Sequence, residues 1–182
     1  MVKATKTEKQ KMLEGELYKP NNKELVLLRD EARKFFREYN LAQDETILPQ
    51  LFKQPLNNVI IEPPFYCDYG ENIEFGKNIF INFNCIFLDC AKIKIGDKTL
   101  IGPNVQVYTP EHPINPTERK KGKESARPIT IGKNCWIGGG AIILAGVNIG
   151  DNSIIGAGSV VIKSIPPNSL AVGNPCKVIK KI

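Results

Sequence analysis

Large apolar residues recur at every sixth position through the larger, C-terminal part of the chain. Twelve six-residue units open on an aliphatic or aromatic residue, and glycine follows it in seven of them. The opening residues are Phe75, Ile81, Phe87, Ile95, Ile101, Val107, Ile131, Ile137, Ile143, Ile149, Ile155 and Val161. A β-sandwich would show alternation over variable lengths instead. The fixed period predicts a mainly β fold, a parallel β-helix with three short strands in each triangular coil.

The fifth residue of each unit is predicted to point inward as well, where the corner leaves little room. These residues are Ile79, Cys85, Ala91, Thr99, Val105, Cys135, Ala141, Val147, Ser153, Ser159 and Ile165. Most of them are small or narrow. Glycine or asparagine at the corners is expected to supply the positive φ of tight turns. Each coil should then bury the inner face of its neighbour.

The N-terminal part has helical periodicity instead. Residues 5–13 predict a short helix that is capped by Thr5 or Thr7 and stops at Gly15. Residues 22–39 predict an amphipathic helix that Asn40 ends. Its apolar positions are Leu25, Leu28, Ala32, Phe35, Phe36 and Tyr39. Asp44 is expected to cap a further turn or two that reaches Phe52.

Two segments follow from these patterns. Residues 1–56 form an N-terminal helical segment, and residues 57–182 form the β-helix domain with a C-terminal tail. A helical segment this small cannot enclose a core, so its apolar face should lie on the first coils and cover the open end of the β-helix.

The repeat is interrupted between residues 108 and 128, and this excursion carries His112, the only histidine of the chain. Insertions in repeat folds gather on a functional face. Histidine is the side chain best suited to accept a proton near neutral pH. The loop is therefore a candidate binding loop, although a single loop histidine is by itself a weak signal.

Composition narrows the class of protein. The apolar fraction is 42% and the charged fraction 24%, and no apolar run approaches the ~20 residues of a membrane span. The first thirty residues are charged and lack the apolar core of a signal peptide, so we expect a cytoplasmic protein. Five cysteines without C-x-x-C spacing predict free thiols rather than disulfides or a zinc site.

The net charge of +6 favours anionic partners such as nucleic acid, a membrane surface or a phosphorylated cofactor. The basic runs, at residues 119–123 and at the C-terminus, are short and read as a solvated loop and a soluble tail. We therefore expect neither a nucleic-acid nor a membrane partner.

Several motifs outside the repeats point to one family. They are Met12–Tyr18 with Arg29, Cys67–Gly70, Asn82–Asn84, Leu88-Asp89, Thr109–Arg119, Pro128–Gly132, Asn134–Gly138 and Gly173–Cys176. Through them the chain resembles, over nearly its whole length, the maltose and galactoside O-acetyltransferases and the nodulation-type sugar acetyltransferases. Hexapeptide repeats are common to many acyltransferases, whereas the histidine loop and the N-terminal segment are far more specific.

The resemblance implies a left-handed coil and a homotrimer whose active sites lie between subunits. It also implies an acetyl-CoA-dependent O-acetyltransferase that modifies a sugar hydroxyl and uses no metal. His112 would be the general base, Asn82 a second catalytic residue and the Gly139 N–H the oxyanion donor. The acceptor side would be Arg29, Asp68, Phe80 and Asp89. The acetyl-CoA side would be Trp136, Gly139, Ala157, Ile162, Lys163, Lys177 and Lys180.

Three positions depart from the galactoside branch and leave the acceptor open: Pro20 and Cys90 replace aspartates, and Phe80 replaces a tyrosine. An O-acetyltransferase for another acceptor, a xenobiotic or an amino acid, remains an alternative. A non-catalytic trimeric β-helical scaffold is a third. Asn82 could also be only a corner asparagine in a positive-φ turn.

Overall fold

The structure is a computed structural model that describes residues 5–182, so the first four residues of the predicted N-terminal segment lie outside it. Helix α1 spans Glu8–Leu13 and α2 spans Lys23–Ala42. A single 3₁₀ turn at Glu45–Ile47 leads into α3, Leu48–Phe52. No helix within the described residues is long and apolar enough to cross a membrane.

The helix caps explain where these elements begin. Thr7 caps α1 in a reciprocal capping box with Gln10, and Asn22 and Asp44 accept hydrogen bonds from the first turns that follow them. The predicted end of α2 at Asn40 was wrong by two residues. The helix continues to Ala42 because Gln43 takes the left-handed C-cap conformation. Asn40 instead binds the backbone of Phe65 through its side chain.

Short strands make up the rest of the chain. In chain order they are β1 (Asn57–Ile61), β2 (Phe65–Cys67), β3 (Ile73–Phe75), β4 (Lys77–Ile81), β5 (Cys85–Leu88), β6 (Ile93–Ile95), β7 (Leu100–Ile101), β8 (Gln106–Tyr108), β9 (Pro110–Glu111), β10 (Ser125–Ala126), β11 (Ile129–Ile131), β12 (Trp136–Ile137), β13 (Ile142–Leu144), β14 (Asn148–Ile149), β15 (Ile154–Ile155), β16 (Val160–Val161), β17 (Ser169–Val172) and β18 (Lys177–Lys181). Helix α4, Pro116–Arg119, lies between β9 and β10.

The strands form the three faces of a parallel β-helix. The first sheet has the order β1-β4-β7-β12-β15-β17-β18, the second β2-β5-β8-β13-β16 and the third β3-β6-β11-β14. Pairing along each face is parallel except at β17–β18, which is antiparallel. The predicted fold is confirmed. The predicted C-terminal tail is in part an ordered strand, β18, which forms a hairpin with the last coil.

The predicted inward ladder forms the core. Of the twelve opening residues, all except Phe75 are buried, and all eleven fifth-position residues are buried too. Phe75, in the first coil, is partly buried, and its ring packs edge-to-face with that of Phe52 in α3, with 4.9 Å between the centroids. All five cysteines are buried free thiols.

The corners have the predicted positive φ on asparagine and glycine, but not at the glycines that follow the opening residues. None of the seven glycines that follow an opening residue has a positive φ; that conformation falls two residues later, on asparagines such as Asn78, Asn104 and Asn134. The glycines are needed because adjacent coils come too close for a side chain. A Cβ on Gly102, for example, would lie 2.6 Å from the backbone nitrogen of Gly139. Asn82 is likewise absent from the positive-φ positions, so turn geometry does not account for it.

The three faces present different outward side chains. On the first sheet Ile60, Phe80, Leu100, Trp136, Ile154 and Leu170 lie in register as one apolar ladder. The second sheet presents mainly Tyr66, Ile86, Ile142 and Val160, with Leu88, Tyr108 and Leu144 beside them. The third is polar, with Glu74, Lys94, Thr130 and Asn148 in register.

The helical segment packs in two places. Helices α2 and α3 cover the first coils, and most of their buried apolar residues share one continuous core with the β-helix, as predicted. Leu25 and Leu28 of α2 belong to a second cluster. Helix α1 joins this second cluster, which includes Met12, Tyr18, Tyr69, Cys90 and Ala126. Since Ala126 lies in β10, the N-terminal segment also supports the excursion between residues 108 and 128.

The excursion is itself ordered. Strands β9 and β10 pair antiparallel, and the Arg127 guanidinium makes two hydrogen bonds to Glu111, at 2.6 and 2.7 Å. Asn115 caps α4 by accepting hydrogen bonds from Thr117 and Glu118. A hairpin with a short helix at its tip therefore carries His112 away from the solenoid.

Candidate active site

A cleft of about 600 Å³ opens where the N-terminal segment meets the excursion. We call it the histidine cleft. Its lining residues are Pro20, Asn21, Arg29, Asp68, Leu88, Cys90, Tyr108, Pro110, His112, Gly122 and Glu124. It brings together three of the predicted site residues, Arg29, Asp68 and His112, from a helix, a loop after β2 and the excursion.

His112 follows β9, and its side chain is 63% exposed. Its Nε2 lies 3.8 Å from Oε1 of Glu124, which is an ion-pair distance and longer than a hydrogen bond. The other carboxylate oxygen of Glu124 accepts a hydrogen bond of 2.8 Å from the Tyr18 hydroxyl. The imidazole is thus open to a ligand on one side and faces a fixed carboxylate on another.

Asp68 forms part of the cleft wall and is largely buried. The Cys90 thiol lies 3.4 Å from its Oδ2. Burial raises the pKa of the Asp68 carboxyl, against the opposing influence of the Cys90 thiol and the Arg29 guanidinium. The carboxyl can serve a ligand hydroxyl as a hydrogen-bond acceptor.

Arg29 is half-buried and already engaged. Its guanidinium donates to the Tyr69 hydroxyl and to the Pro20 carbonyl, both at 2.7 Å. These contacts tie the Pro20 turn, which lines the cleft, to the buried Tyr69. Because a guanidinium has five N–H donors, further donors remain for a ligand.

Asp89, predicted to bind the acceptor, lies beneath the cleft and is fully buried. Its Oδ1 accepts the backbone N–H groups of Asp68 and Tyr69, at 3.0 and 2.8 Å, and its Oδ2 accepts that of Asn72. Burial raises the pKa of this carboxyl to about 7. In this structure Asp89 therefore shapes the turn that carries Asp68 and does not reach the cleft itself.

A second depression of about 500 Å³ lies at a corner of the β-helix. We call it the glycine groove. Its lining residues are Asn82, Gly102, Pro103, Trp136, Gly138, Gly139, Ile154, Ile155, Gly156, Ala157 and Leu170. It brings together four other predicted residues: Asn82, Trp136, Gly139 and Ala157.

Two hydrogen-bond donors in this groove have no partner among the residues that the structure describes. Within residues 5–182 the Gly139 N–H makes no hydrogen bond, although its neighbours Gly138 and Gly140 both donate to carbonyls of adjacent coils. The Asn82 Oδ1 accepts the N–H of Phe83 at 2.7 Å, which fixes the amide, and its Nδ2 makes no hydrogen bond within the same range. The groove can therefore stabilise a negatively charged oxygen.

The other predicted residues lie outside the two depressions. Phe80 points outward from β4, between Ile60 and Leu100, and lines neither. Ile162 and Lys163 are exposed beyond the groove, after β16. Lys177 and Lys180 are exposed on β18, where Lys180 pairs with the groove residue Leu170.

Among the described residues, the histidine cleft and the glycine groove share no lining residue. Within one chain, His112 and Arg29 therefore belong to one depression and Asn82 and Gly139 to another. The division follows from the fold, since the excursion leaves the solenoid after the second sheet whereas Asn82 follows a strand of the first.

Two residues of the histidine cleft region were not anticipated. Glu124 stands twelve residues after His112 in the same excursion, and Tyr18 closes the N-terminal motif. An acidic residue in a loop that carries the only histidine is a signal that could have drawn attention to Glu124. Its pairing with Tyr18 spans 106 residues and has no local signature.

Known proteins share both the architecture and the site segments. The family described as "Hexapeptide repeat of succinyl-transferase" matches residues 128–163. The family described as "Maltose acetyltransferase hexapeptide capping motif" matches residues 11–56. A maltose O-acetyltransferase from Clostridium difficile 630 is 51% identical, with a TM-score of 0.94 over 97% of this chain and 98% of that one. A galactoside acetyltransferase solved in complex with coenzyme A is 38% identical, with a TM-score of 0.92 over 98% and 92%. Nodulation protein L of Rhizobium meliloti is 47% identical over 96% of this chain and 98% of its own length.

The parallel β-helix, its capping segment and the two depressions define a hexapeptide-repeat acetyltransferase. Among these, the chain belongs to the maltose and galactoside O-acetyltransferase family. The family resemblance expected from the sequence is confirmed.

Proposed function

We propose that this acetyltransferase transfers the acetyl group of acetyl-CoA to a hydroxyl of a sugar. The observation that carries the proposal is the set of groups turned toward solvent in the two depressions. They are the exposed imidazole of His112 and the donors of Asn82 and Gly139, which have no partner in the described part of the chain. These are a base and an oxyanion site, the two requirements of acyl transfer to an alcohol.

In the proposed reaction His112 acts as the general base. An alcohol is a poor nucleophile at neutral pH, so the imidazole removes the hydroxyl proton while the oxygen attacks the thioester carbonyl. The C–O bond forms, and the carbonyl becomes a tetrahedral oxyanion. The intermediate then expels the CoA thiolate, which takes the proton back from the imidazolium. Such acid–base assistance typically contributes about 10²–10⁴ in rate.

The oxyanion is assigned to the Gly139 N–H. A backbone donor is held by the coil and needs no reorganisation as the charge develops. The Nδ2 of Asn82 lies on the same groove and can donate to the oxyanion or orient the acceptor hydroxyl. The Phe83 N–H restricts rotation of this amide through its oxygen.

Acetyl-CoA is proposed to lie along the glycine groove toward the C-terminal coils. Gly156 and Ala157 leave room for the pantetheine arm, and Trp136 forms an apolar wall. Lys163, Lys177 and Lys180, with Ile162 beside them, stand beyond the groove where the phosphates would lie. Lysine offers these phosphates charge without the bidentate grip of arginine.

The acceptor is proposed to lie in the histidine cleft. Asp68 can accept hydrogen bonds from sugar hydroxyls, and Arg29 can donate to sugar oxygens. Asp89 contributes by holding the turn that carries Asp68. Maltose and galactoside, named for the relatives, are the acceptor classes to test first; xenobiotic and amino-acid acceptors are the alternatives.

A homotrimer with its active sites between subunits is part of the proposal. It would join the histidine cleft of one subunit to the glycine groove of the next. Support comes from the outward faces, because two of the three sheets present apolar side chains and one presents polar ones. Exposed Leu100 and Trp136, 51% and 56%, are the kind of surface that oligomer contacts cover.

The test is His112→Ala, assayed by release of the CoA thiol with maltose and with a galactoside as acceptors. We expect kcat to fall by about two orders of magnitude or more while calorimetry still detects acetyl-CoA binding. Turnover that survives the substitution would remove His112 from its role. If no acceptor supports turnover and acetyl-CoA does not protect the wild-type protein against heat, the non-catalytic scaffold is the better interpretation.

A further inference from the structure

Tyr18, Glu124 and His112 are linked in a way that the reaction above does not use. The backbones of Tyr18 and Glu124 form an isolated antiparallel bridge with two reciprocal hydrogen bonds, 2.9 and 3.1 Å long. The Tyr18 hydroxyl also donates to the Glu124 carboxylate at 2.8 Å. Tyr18 of the N-terminal segment thus binds Glu124 of the excursion through both its main chain and its side chain.

The geometry fixes the carboxylate in one orientation. Tyr18 is fully buried between α1 and the excursion, so its ring has little freedom to move. Burial raises the pKa of its hydroxyl above the ordinary value, which keeps Tyr18 a hydrogen-bond donor. With Oε2 of Glu124 engaged in this way, Oε1 is the oxygen that faces His112 Nε2 at 3.8 Å.

We propose that Glu124, held by Tyr18, is a positioning residue for His112: it orients the imidazole and stabilises the imidazolium formed during acetyl transfer. The inference rests on the proposed function, because it needs His112 to receive a proton. A carboxylate about 4 Å from a new positive charge at a protein surface interacts with it appreciably. The proposal also gives the N-terminal segment a catalytic purpose besides covering the β-helix.

Another purpose for Glu124 is a direct hydrogen bond to the acceptor, since it also lines the cleft. The two roles predict different effects of a Glu124 substitution when His112 is absent. A positioning residue loses its effect when the imidazole is gone, whereas an acceptor contact keeps it. This difference decides the design of the experiment.

The experiment is a double-mutant cycle of Glu124→Gln and His112→Ala, with acetyl-CoA and maltose each varied. Glutamine keeps the size of the side chain and an oxygen for Tyr18, but it removes the charge. We expect Glu124→Gln alone to lower kcat about tenfold or more with the KM of acetyl-CoA unchanged. In the His112→Ala background the same change should have no further effect.

Tyr18→Phe tests the anchor, and Tyr39→Phe is the matched control. Both remove a buried hydroxyl, but the Tyr39 hydroxyl donates to the Ile61 carbonyl, away from the cleft. Tyr18→Phe should lower kcat in the same direction as Glu124→Gln, whereas Tyr39→Phe should affect stability alone. Since the chain has one histidine, imidazole nitrogen resonances of the tag-free protein report directly on His112. They should shift in Tyr18→Phe and Glu124→Gln but not in Tyr39→Phe.

Two outcomes overturn the inference. One is an equal loss of activity from Glu124→Gln with and without His112. The other is a raised maltose KM with kcat preserved, which would make Glu124 an acceptor contact. Neither outcome affects the proposed reaction, which is tested separately by His112→Ala alone.

Discussion

Gly102 occupies a position where two coils of the β-helix leave no room for a side chain. A Cβ there would lie 2.6 Å from the Gly139 nitrogen and 3.1 Å from the Ile137 carbonyl oxygen. Real Cβ contacts are longer, so the two coils would have to separate. The atom that would be displaced is the one whose N–H we assign to the oxyanion.

Gly102→Ala is therefore expected to lower both stability and kcat. Overpacking of this kind costs on the order of 1–3 kcal/mol, and a misplaced oxyanion donor should lower kcat roughly tenfold or more. The control is Gly96→Ala, whose Cβ would lie 2.6 Å from the Gly132 carbonyl carbon, at another corner. Guanidinium unfolding should show similar losses for both variants, but only Gly102→Ala should lose kcat at a temperature where both are folded. Equal kcat losses would contradict the assignment of Gly139.

Asp89 is a second residue whose environment has a measurable consequence. Its carboxyl is fully buried, and burial raises its pKa to about 7, compared with about 3.9 in an unfolded chain. Between these values the folded protein binds more protons than the unfolded chain. The contribution of Asp89 to stability is therefore present at low pH and is lost as the pH rises toward 7.

Asp89→Asn should remove this dependence. In the wild type, Asp89 should lower the free energy of unfolding by roughly 1–3 kcal/mol as the pH rises from about 5 to about 8. In Asp89→Asn this part of the pH dependence should be absent. Asp44→Asn is the control, because the hydrogen bonds from Thr46 lower the pKa of Asp44 and keep it ionised across this range. Urea unfolding at the two pH values measures both. An unchanged slope in Asp89→Asn would mean that the buried carboxyl is ionised throughout.

At the scale of the elements, corners of successive coils are joined by asparagine side chains. Asn134 donates to Asn152 at 3.0 Å and Asn152 donates to Asn168 at 2.9 Å. All three residues have φ between 53° and 59°. Asparagine suits the position twice, since it tolerates the left-handed conformation and its amide can pair with the same residue one coil away.

Substitutions at Asn152 can separate these two roles. Alanine and glycine both remove the amide pairs, but alanine must also adopt a left-handed conformation, so Asn152→Ala should be less stable than Asn152→Gly by about 1 kcal/mol. Asn148 in β14 is the control, because its φ is not positive. There the order should reverse, with the glycine variant the less stable. Chemical denaturation of the four variants provides the comparison, and the same order at both positions would contradict the conformational argument.

At the scale of the whole molecule, the period of six was enough to predict the β-helix and its buried ladder. Each inward position can be recognised within its own six-residue unit, because every unit has an apolar residue at the same place, such as Ile81, Ile137 or Ile155. The corners were harder, since the sequence alone does not separate a glycine needed for its φ from one needed for close approach. The candidate site was only partly predictable. The bridge from Tyr18 to Glu124 and the burial of Asp89 depend on contacts between distant segments. Such contacts leave no repeating pattern in the sequence.

The separation of His112 from Asn82 and Gly139 leads to a further prediction about assembly. If each active site combines the histidine cleft of one subunit with the glycine groove of its neighbour, two inactive variants can complement each other. His112→Ala supplies an intact groove, and Asn82→Ala supplies an intact cleft. Co-expressed in equal amounts, they should form mixed trimers in which about one site in three has both intact halves.

Mixed trimers purified through different affinity tags on the two variants should therefore recover about a third of the wild-type specific activity. Light scattering would establish the trimer itself. The control is co-expression of His112→Ala with a double variant of His112→Ala and Asn82→Ala, because no site in that mixture has an imidazole. Each subunit of the test mixture lacks one catalytic group, so sites contained within single subunits would stay inactive however the chains mix. Recovery of activity consequently requires groups from two chains, and its absence in verified mixed trimers would contradict the shared site.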